Sequence, residues 1–265
     1  MNTARLAIDH GNTRLKATIF RDFEAVATFT IERMDCDRLL EWMLPYDVQS
    51  AIYASTAGVD VRLAETLERL LPGGCIVLTG NTPLPIGIDY DTPATLGADR
   101  IAAAVGAASI MPGRRLLVAD AGTCITLDLV SDGRFKGGNI SPGVQMRFRA
   151  MHEYSGALPL VSARPGHLPE AAFGRDTDEA LRCGVLHGIA DEIKGACRRA
   201  ELTYGETHVL LTGGDAPLLA PMLHGAIPCT VSDKPVMLGL ITILLHNEAL
   251  HSSEINIQDA EIRIK

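Results

Sequence analysis

Short apolar runs separated by polar turns open the chain. Residues 5–8, 15–20 and 25–30 have the length and alternation of strands and predict a meander. Residues 35–43 change to a helical spacing, with Asp35 placed to cap the start and Pro45 to close the end. A strand at 50–54, a helix at 60–71 stopped by Pro72-Gly73-Gly74, and a short strand at 75–78 complete a first half. Residues 81–95 show no period and hold three prolines, which predicts a loop of a length that tends to be functional. An alanine-rich helix follows at 97–110.

The same order then repeats. Strands at 116–119, 125–130 and 134–139 form a second meander, followed by a helix at 143–152 and a long one at 176–200. In the long helix Leu181, Val185, Ile189 and Ile193 recur at helical spacing. A strand at 207–211, a helix at 216–222 and a final helix at 236–248 end the pattern. The expectation is an α/β chain of two halves, residues 1–115 and 116–250, with a ligand in the cleft between them. Residues 251–265, with isoleucines at every second position in places, fit either an edge strand or a tail.

Composition narrows the class. A chain of 265 residues with 47% hydrophobic and 21% charged residues builds a substantial core. Its net charge of −8 argues against broad contact with nucleic acid or an acidic membrane. The six cysteines have neither paired nor metal-ligand spacing, which predicts free thiols in a reducing compartment. No signal peptide is expected, and the longest apolar run, residues 236–245, is about half the ~20 residues of a membrane span. A cytoplasmic protein is the expectation.

The candidate chemistry begins with a turn that occurs twice. Asp9-His10-Gly11-Asn12-Thr13 and Asp120-Ala121-Gly122-Thr123 each follow an apolar run and lead into another strand. Such a turn places backbone N–H groups and a hydroxyl against phosphate oxygens, with an acid beside them to hold a cation; it is also a common hairpin turn. In the first copy, which continues through Arg14 and Leu15, Lys16 supplies a positive charge for a transferring phosphoryl group and Asp9 suits Mg²⁺. Neither a Walker A pattern nor G-x-G-x-x-G occurs.

Gly97-Ala98-Asp99-Arg100 opens a helix. Arg100 suits a substrate carboxylate and Asp99 suits a proton acceptor for an attacking hydroxyl. Equally, Asp99 fits an electrostatic helix cap and Arg100 a solvated surface residue. Gly137-Gly138 before Pro142-Gly143 fits an anion site or a plain turn, and Thr212-Gly213-Gly214 fits a surface for a nucleobase or ribose.

Taken in order, Asp9-x-Gly11-Asn12-Thr13-x-x-Lys16, Tyr90 with Pro93, Gly97-Ala98-Asp99-Arg100, Asp120-Ala121-Gly122-Thr123, Gly137-Gly138 before Pro142-Gly143, and Thr212-Gly213-Gly214 resemble the motifs of type III pantothenate kinases up to about residue 248. The resemblance implies two duplicated actin-like (ribonuclease H-like) domains with the active site in the cleft. It implies ATP-dependent phosphorylation of pantothenate to 4'-phosphopantothenate, the first step of coenzyme A biosynthesis. Residues Asp9, His10, Gly11, Asn12, Thr13, Arg14, Leu15 and Lys16 are then a phosphate loop, and Thr123 a second ATP contact. Asp99 is the general base, and Tyr90, Gly97, Ala98, Asp99, Arg100 and Thr177 meet the substrate. Mg²⁺ accompanies ATP, Asp120 binds K⁺ or NH₄⁺, and a homodimer completes the substrate pocket. The small residues Gly106, Ala107 and Ala108 fit such an interface or ordinary core packing. His10 and Cys124 depart from the small or aliphatic residues usual at their positions.

Two rivals frame the reading. One keeps the fold and changes the acceptor to a sugar, another small alcohol or water, and the Arg100 charge tells against a neutral sugar. The other is a regulator without turnover, against which Lys16, Asp99 and Asp120 all stand.

Overall fold

The computed structural model of the chain describes residues 3–32, 35–163, 168–169 and 171–263. It divides into two units, residues 1–110 with 234–265, and residues 111–233. In the first unit, strands β1 (Ala4–His10), β2 (Leu15–Arg21), β3 (Glu24–Ile31), β4 (Val48–Ser55) and β5 (Cys75–Val77) form a sheet in the order β3-β2-β1-β4-β5. The β1-β2-β3 meander is antiparallel, whereas β4 runs parallel to both β1 and β5. Between these strands lie helices α1 (Cys36–Met43) and α2 (Val61–Leu70), and after them the two-residue strand β6 (Gly87–Ile88) and helix α3 (Ala98–Ile110). Asp35 and Asp60 cap α1 and α2 by accepting from Arg38 N and Leu63 N.

The second unit repeats the plan. It holds β7 (Leu116–Ala121), β8 (Cys124–Ser131), β9 (Arg134–Pro142), α4 (Val144–Tyr154), α5 (Thr177–Tyr204), β10 (His208–Thr212), α6 (Ala216–Leu223) and β11 (Cys229–Val231). These strands run β11-β10-β7-β8-β9, again an antiparallel meander with two parallel strands beside its first member. Asp9 is the penultimate residue of β1, and Asp120 holds the same place on β7. The duplication read from the two turns is therefore a duplication of topology.

Strand alternation sorts the side chains of β1. Leu6 and Ile8 pack with Leu39 and Met43 of α1 and Leu63 and Leu67 of α2. Arg5 faces the other way, to Glu248 of α7 (Pro235–Arg263), at 2.8 Å between Nη2 and Oε2. Ser50 of β4 donates to the same carboxylate at 2.6 Å.

Helices α3 and α7 cross backbone to backbone. A Cβ on Gly106 would overlap Pro235 O, and one on Gly239 would overlap Ala102 O. Gly106 and Ala107 are buried inside the first unit, and the small size of Gly106 serves this crossing.

Three expectations need revision. The final helix belongs with the first unit, although its place in the sequence suggested the second half. That helix continues to Arg263, so residues 251–263 form no edge strand; after Gly239 no glycine or proline interrupts it. Ile264 and Lys265 lie outside the described residues. Gly137 and Gly138 lie within β9, beside a register shift at Leu129/Val130, and only Gly143 opens a helix. All six cysteines are free, and no helix among the described residues is long and apolar enough to cross a membrane.

Candidate active site

The β1–β2 hairpin presents the first phosphate-type turn. Asp9 sits directly across from Lys16, and the turn closes through Gly11 N–H to Arg14 O at 3.0 Å. Asn12, Thr13 and Arg14 are exposed, while Leu15 anchors the turn in the core and leaves only its backbone for a ligand. Gly11 needs no special backbone angle, and a Cβ there would meet only Arg14 O at 3.5 Å. The fold itself therefore tolerates a larger residue at Gly11. Burial, reinforced by the negative charge of Asp99, pushes the Asp9 carboxyl up to about 6, against the pull of Lys16 and Arg14. A carboxylate with a second acid within electrostatic reach suits a divalent cation bound through hard oxygen.

His10 turns to the opposite face of the sheet. Its Nδ1 lies 2.9 Å from the hydroxyl of Tyr53, a fully buried residue whose oxygen also accepts from Asp60 N–H at 3.1 Å. The hydroxyl and Nδ1 share one hydrogen bond, so that ring nitrogen is engaged in either neutral tautomer. Burial lowers the imidazole pKa, which favours the neutral ring. The side chain of His10 is accounted for by this network, and any phosphate contact falls to its backbone.

At the start of α3, Asp99 Oδ1 accepts the N–H of Arg100 at 2.8 Å, so the carboxylate also caps the first turn. A Cβ on Gly97 would lie 2.6 Å from that oxygen, which makes glycine the fitting residue there. Arg100 is not a solvated surface residue: it is only 6% exposed, with Cζ 5.8 Å from the ring centroid of Tyr90. A buried guanidinium stacked on an aromatic ring is a strong holder for a carboxylate. Ala98 is buried beneath it.

The second unit builds its turn from glycines. Gly122 N–H donates to Cys124 O at 3.0 Å, and Thr123 stands exposed at the tip. Gly143 donates to Thr123 O at 3.0 Å, and a Cβ on Gly143 would overlap Gly122 O and lie 2.6 Å from Thr123 O. From the other side Gly213, at φ +93, abuts the Asp120 carboxylate and Ala121, while Asp215 N–H donates to Ala121 O at 2.8 Å. The Asp120–Thr123 turn is thus clasped between two glycine turns that tolerate no side chain.

Arg147, which the sequence did not single out, braces one of these turns. Its Nε donates to Pro142 O at 2.8 Å and its Nη2 to Glu192 Oε2 at 2.6 Å. Thr177 is the first residue of α5, capped by Asp176, and lines an apolar cavity of about 810 Å³ with Met146, Met151 and Leu181. Among the described residues no three His, Cys, Asp or Glu side chains converge as a metal cluster. Carboxylate oxygens, as at Asp9 and Asp120, suit hard cations rather than zinc.

Comparison with known proteins agrees with this geometry. The sequence pattern of the family described as type III pantothenate kinase matches residues 5–199. A type III pantothenate kinase of Porphyromonas gingivalis is 37% identical over 243 residues, 91% of this chain and 98% of that protein. One from Bacteroides fragilis is 42% identical over 211 residues, 79% of this chain and 85% of that protein. Among solved structures, a ROK family glucokinase from Streptomyces griseus in complex with glucose and AMPPNP superposes with a TM-score of 0.53. It is 10% identical, over 91% of this chain and 97% of its own, and shows the shared sugar-kinase fold. The chain belongs to the type III pantothenate kinase family.

Proposed function

We propose that this enzyme phosphorylates pantothenate to 4'-phosphopantothenate with ATP, the first step of coenzyme A biosynthesis, and that Asp99 is its general base. The observation that carries the reading is the start of α3, where a carboxylate stands beside a buried arginine stacked on Tyr90, close enough to Asp9 to raise its pKa. Arg100 holds the carboxylate of pantothenate, and Tyr90 and Thr177 complete the substrate contacts.

The hydroxyl oxygen attacks the γ-phosphorus in line as Asp99 takes its proton. The bond from that phosphorus to the β–γ bridging oxygen breaks, and ADP leaves. Lys16 and the amides of residues 12 and 13 offset the charge on the transferring group, and Thr123 contacts ATP. Most of the rate gain comes from positioning and charge stabilisation. Asp9 would hold Mg²⁺ with the phosphates, and Asp120, beside Gly213 in the clasped turn, would hold K⁺ or NH₄⁺; each would supply positive charge to bound ATP. The reading includes a cytoplasmic homodimer, which light scattering on the purified protein would test.

Asp99→Asn tests the base. The amide oxygen can still accept from Arg100 N–H, so the helix cap survives while the proton acceptor is lost. The expected result is a kcat lower by roughly 10²–10⁴ with ATP and pantothenate binding retained. Turnover near the parent rate would remove Asp99 from that role.

A further inference from the structure

The loop that carries Tyr90 has little regular structure of its own. Residues 79–96 contain only β6 and one short 3-10 turn, Pro93–Thr95, before Asp99 and Arg100 follow. Beyond the sheet pairing of β6, its shape depends on point ties. Thr82 Oγ1 accepts from Thr79 N–H at 3.0 Å, and Leu96 N–H donates to Pro93 O at 3.1 Å. Gly80 lies so close to Pro93 O that a Cβ would overlap it.

One further tie comes from far along the chain. Asn247, on α7, is 5% exposed, among the buried Ile243 and Leu244. Its amide donates to Pro83 O at 2.9 Å and to Ile243 O, one turn back on its own helix, at 2.8 Å. A buried amide is costly unless its donors are matched, and an apolar residue of the same size would pack on this face without that requirement. Ile243 O has the helix's own N–H to pair with. The specific return from an asparagine is therefore the bond to Pro83.

Pro83 and Pro85 restrict the chain direction on either side of the tie. Fixing Pro83 O thus restricts the path into β6 and on toward Tyr90. We propose that Asn247 is a positioning residue for the substrate, setting affinity for pantothenate by holding this loop against α7. The proposal rests on the reading that Tyr90 and Arg100 contact pantothenate.

Asn247→Leu keeps the volume and removes the donor. KM for pantothenate should rise roughly tenfold, the scale of one buried hydrogen bond, with kcat and KM for ATP within about twofold. Amide exchange across residues 84–92 should quicken in the substrate-free protein, and Asn247→Gln should restore part of both effects. A role in stability alone would lower the active fraction without moving KM. If Asn247→Leu does not fold, Asn247→Ser and Gly80→Ala, which disturbs the loop from its other end, carry the same expectation. Unchanged loop exchange in a folded variant overturns the proposal whatever the activity shows, as does an unchanged pantothenate KM. A parent enzyme that turns over ATP without pantothenate would sink the substrate reading instead.

Discussion

Replacing Gly143 by alanine adds one methyl group where two backbone segments already touch. The new carbon would lie 2.6 Å from Thr123 O, and closer still to Gly122 O. Both neighbours are main chain, so no flexible side chain can swing aside. Reaching an ordinary contact of 3.4 Å with Thr123 O requires a separation of about 0.8 Å, and relieving Gly122 O requires more. Gly143 resists moving because its carbonyl accepts the first helical bond of α4, from Arg147 N–H at 3.0 Å. Arg147 also grips Pro142 O. The exposed tip at Gly122 and Thr123 is the softer partner, so it moves. A displacement near 1 Å at a ligand-positioning turn costs about 10² in rate. Overpacking costs a further ~1–3 kcal/mol of stability, a melting shift of several degrees for a chain of this size. Steady-state kinetics should show kcat/KM for ATP down about a hundredfold in a folded variant. Gly156→Ala, where the added carbon meets nothing, should match the parent. If folded Gly143→Ala retains parental ATP kinetics, the Asp120–Thr123 turn is not an ATP-binding element.

Gly11→Ala makes the complementary case. Its Cβ has room, so thermal melting should match the parent while KM for ATP rises about tenfold or more, because the added carbon blocks phosphate from the loop amides; a parental KM would show that ligand phosphate does not approach there. Burial pushes the thiols of Cys75 and Cys197 up to about 12 and about 11. At pH 8 their thiolate fractions are about 10⁻⁴ and 10⁻³, against roughly a quarter for a free cysteine. Iodoacetamide should therefore label both at least about a hundredfold more slowly than a cysteine peptide, with rates climbing only at strongly alkaline pH. Mass spectrometry showing peptide-like labelling at pH 8 would contradict the described burial.

What the sequence disclosed was mostly local. Asp9 and Asp120 each end an apolar run at the same step of a meander, and that order survives as the shared strand topology of the two units. Asp35 and Asp60 announced their helices because capping is a short-range bond. Arg100 was ambiguous because a charged residue in a first helical turn looks the same whether water or Tyr90 lies above it. Asn247 and Arg147 gave no signal at all: each acts through a carbonyl, Pro83 O or Pro142 O, that any residue type would offer. The place of the final helix is not legible locally, because its packing on α3 is decided by Gly106 and Gly239 meeting across more than a hundred intervening residues.

The most direct measurement is ADP release by the purified protein with Mg·ATP, with and without pantothenate, in K⁺ and then in Na⁺ buffer. The account predicts release that requires pantothenate, with 4'-phosphopantothenate formed in equal amount, and that falls when Na⁺ replaces K⁺. Release indifferent to pantothenate, or none in either buffer, would contradict it.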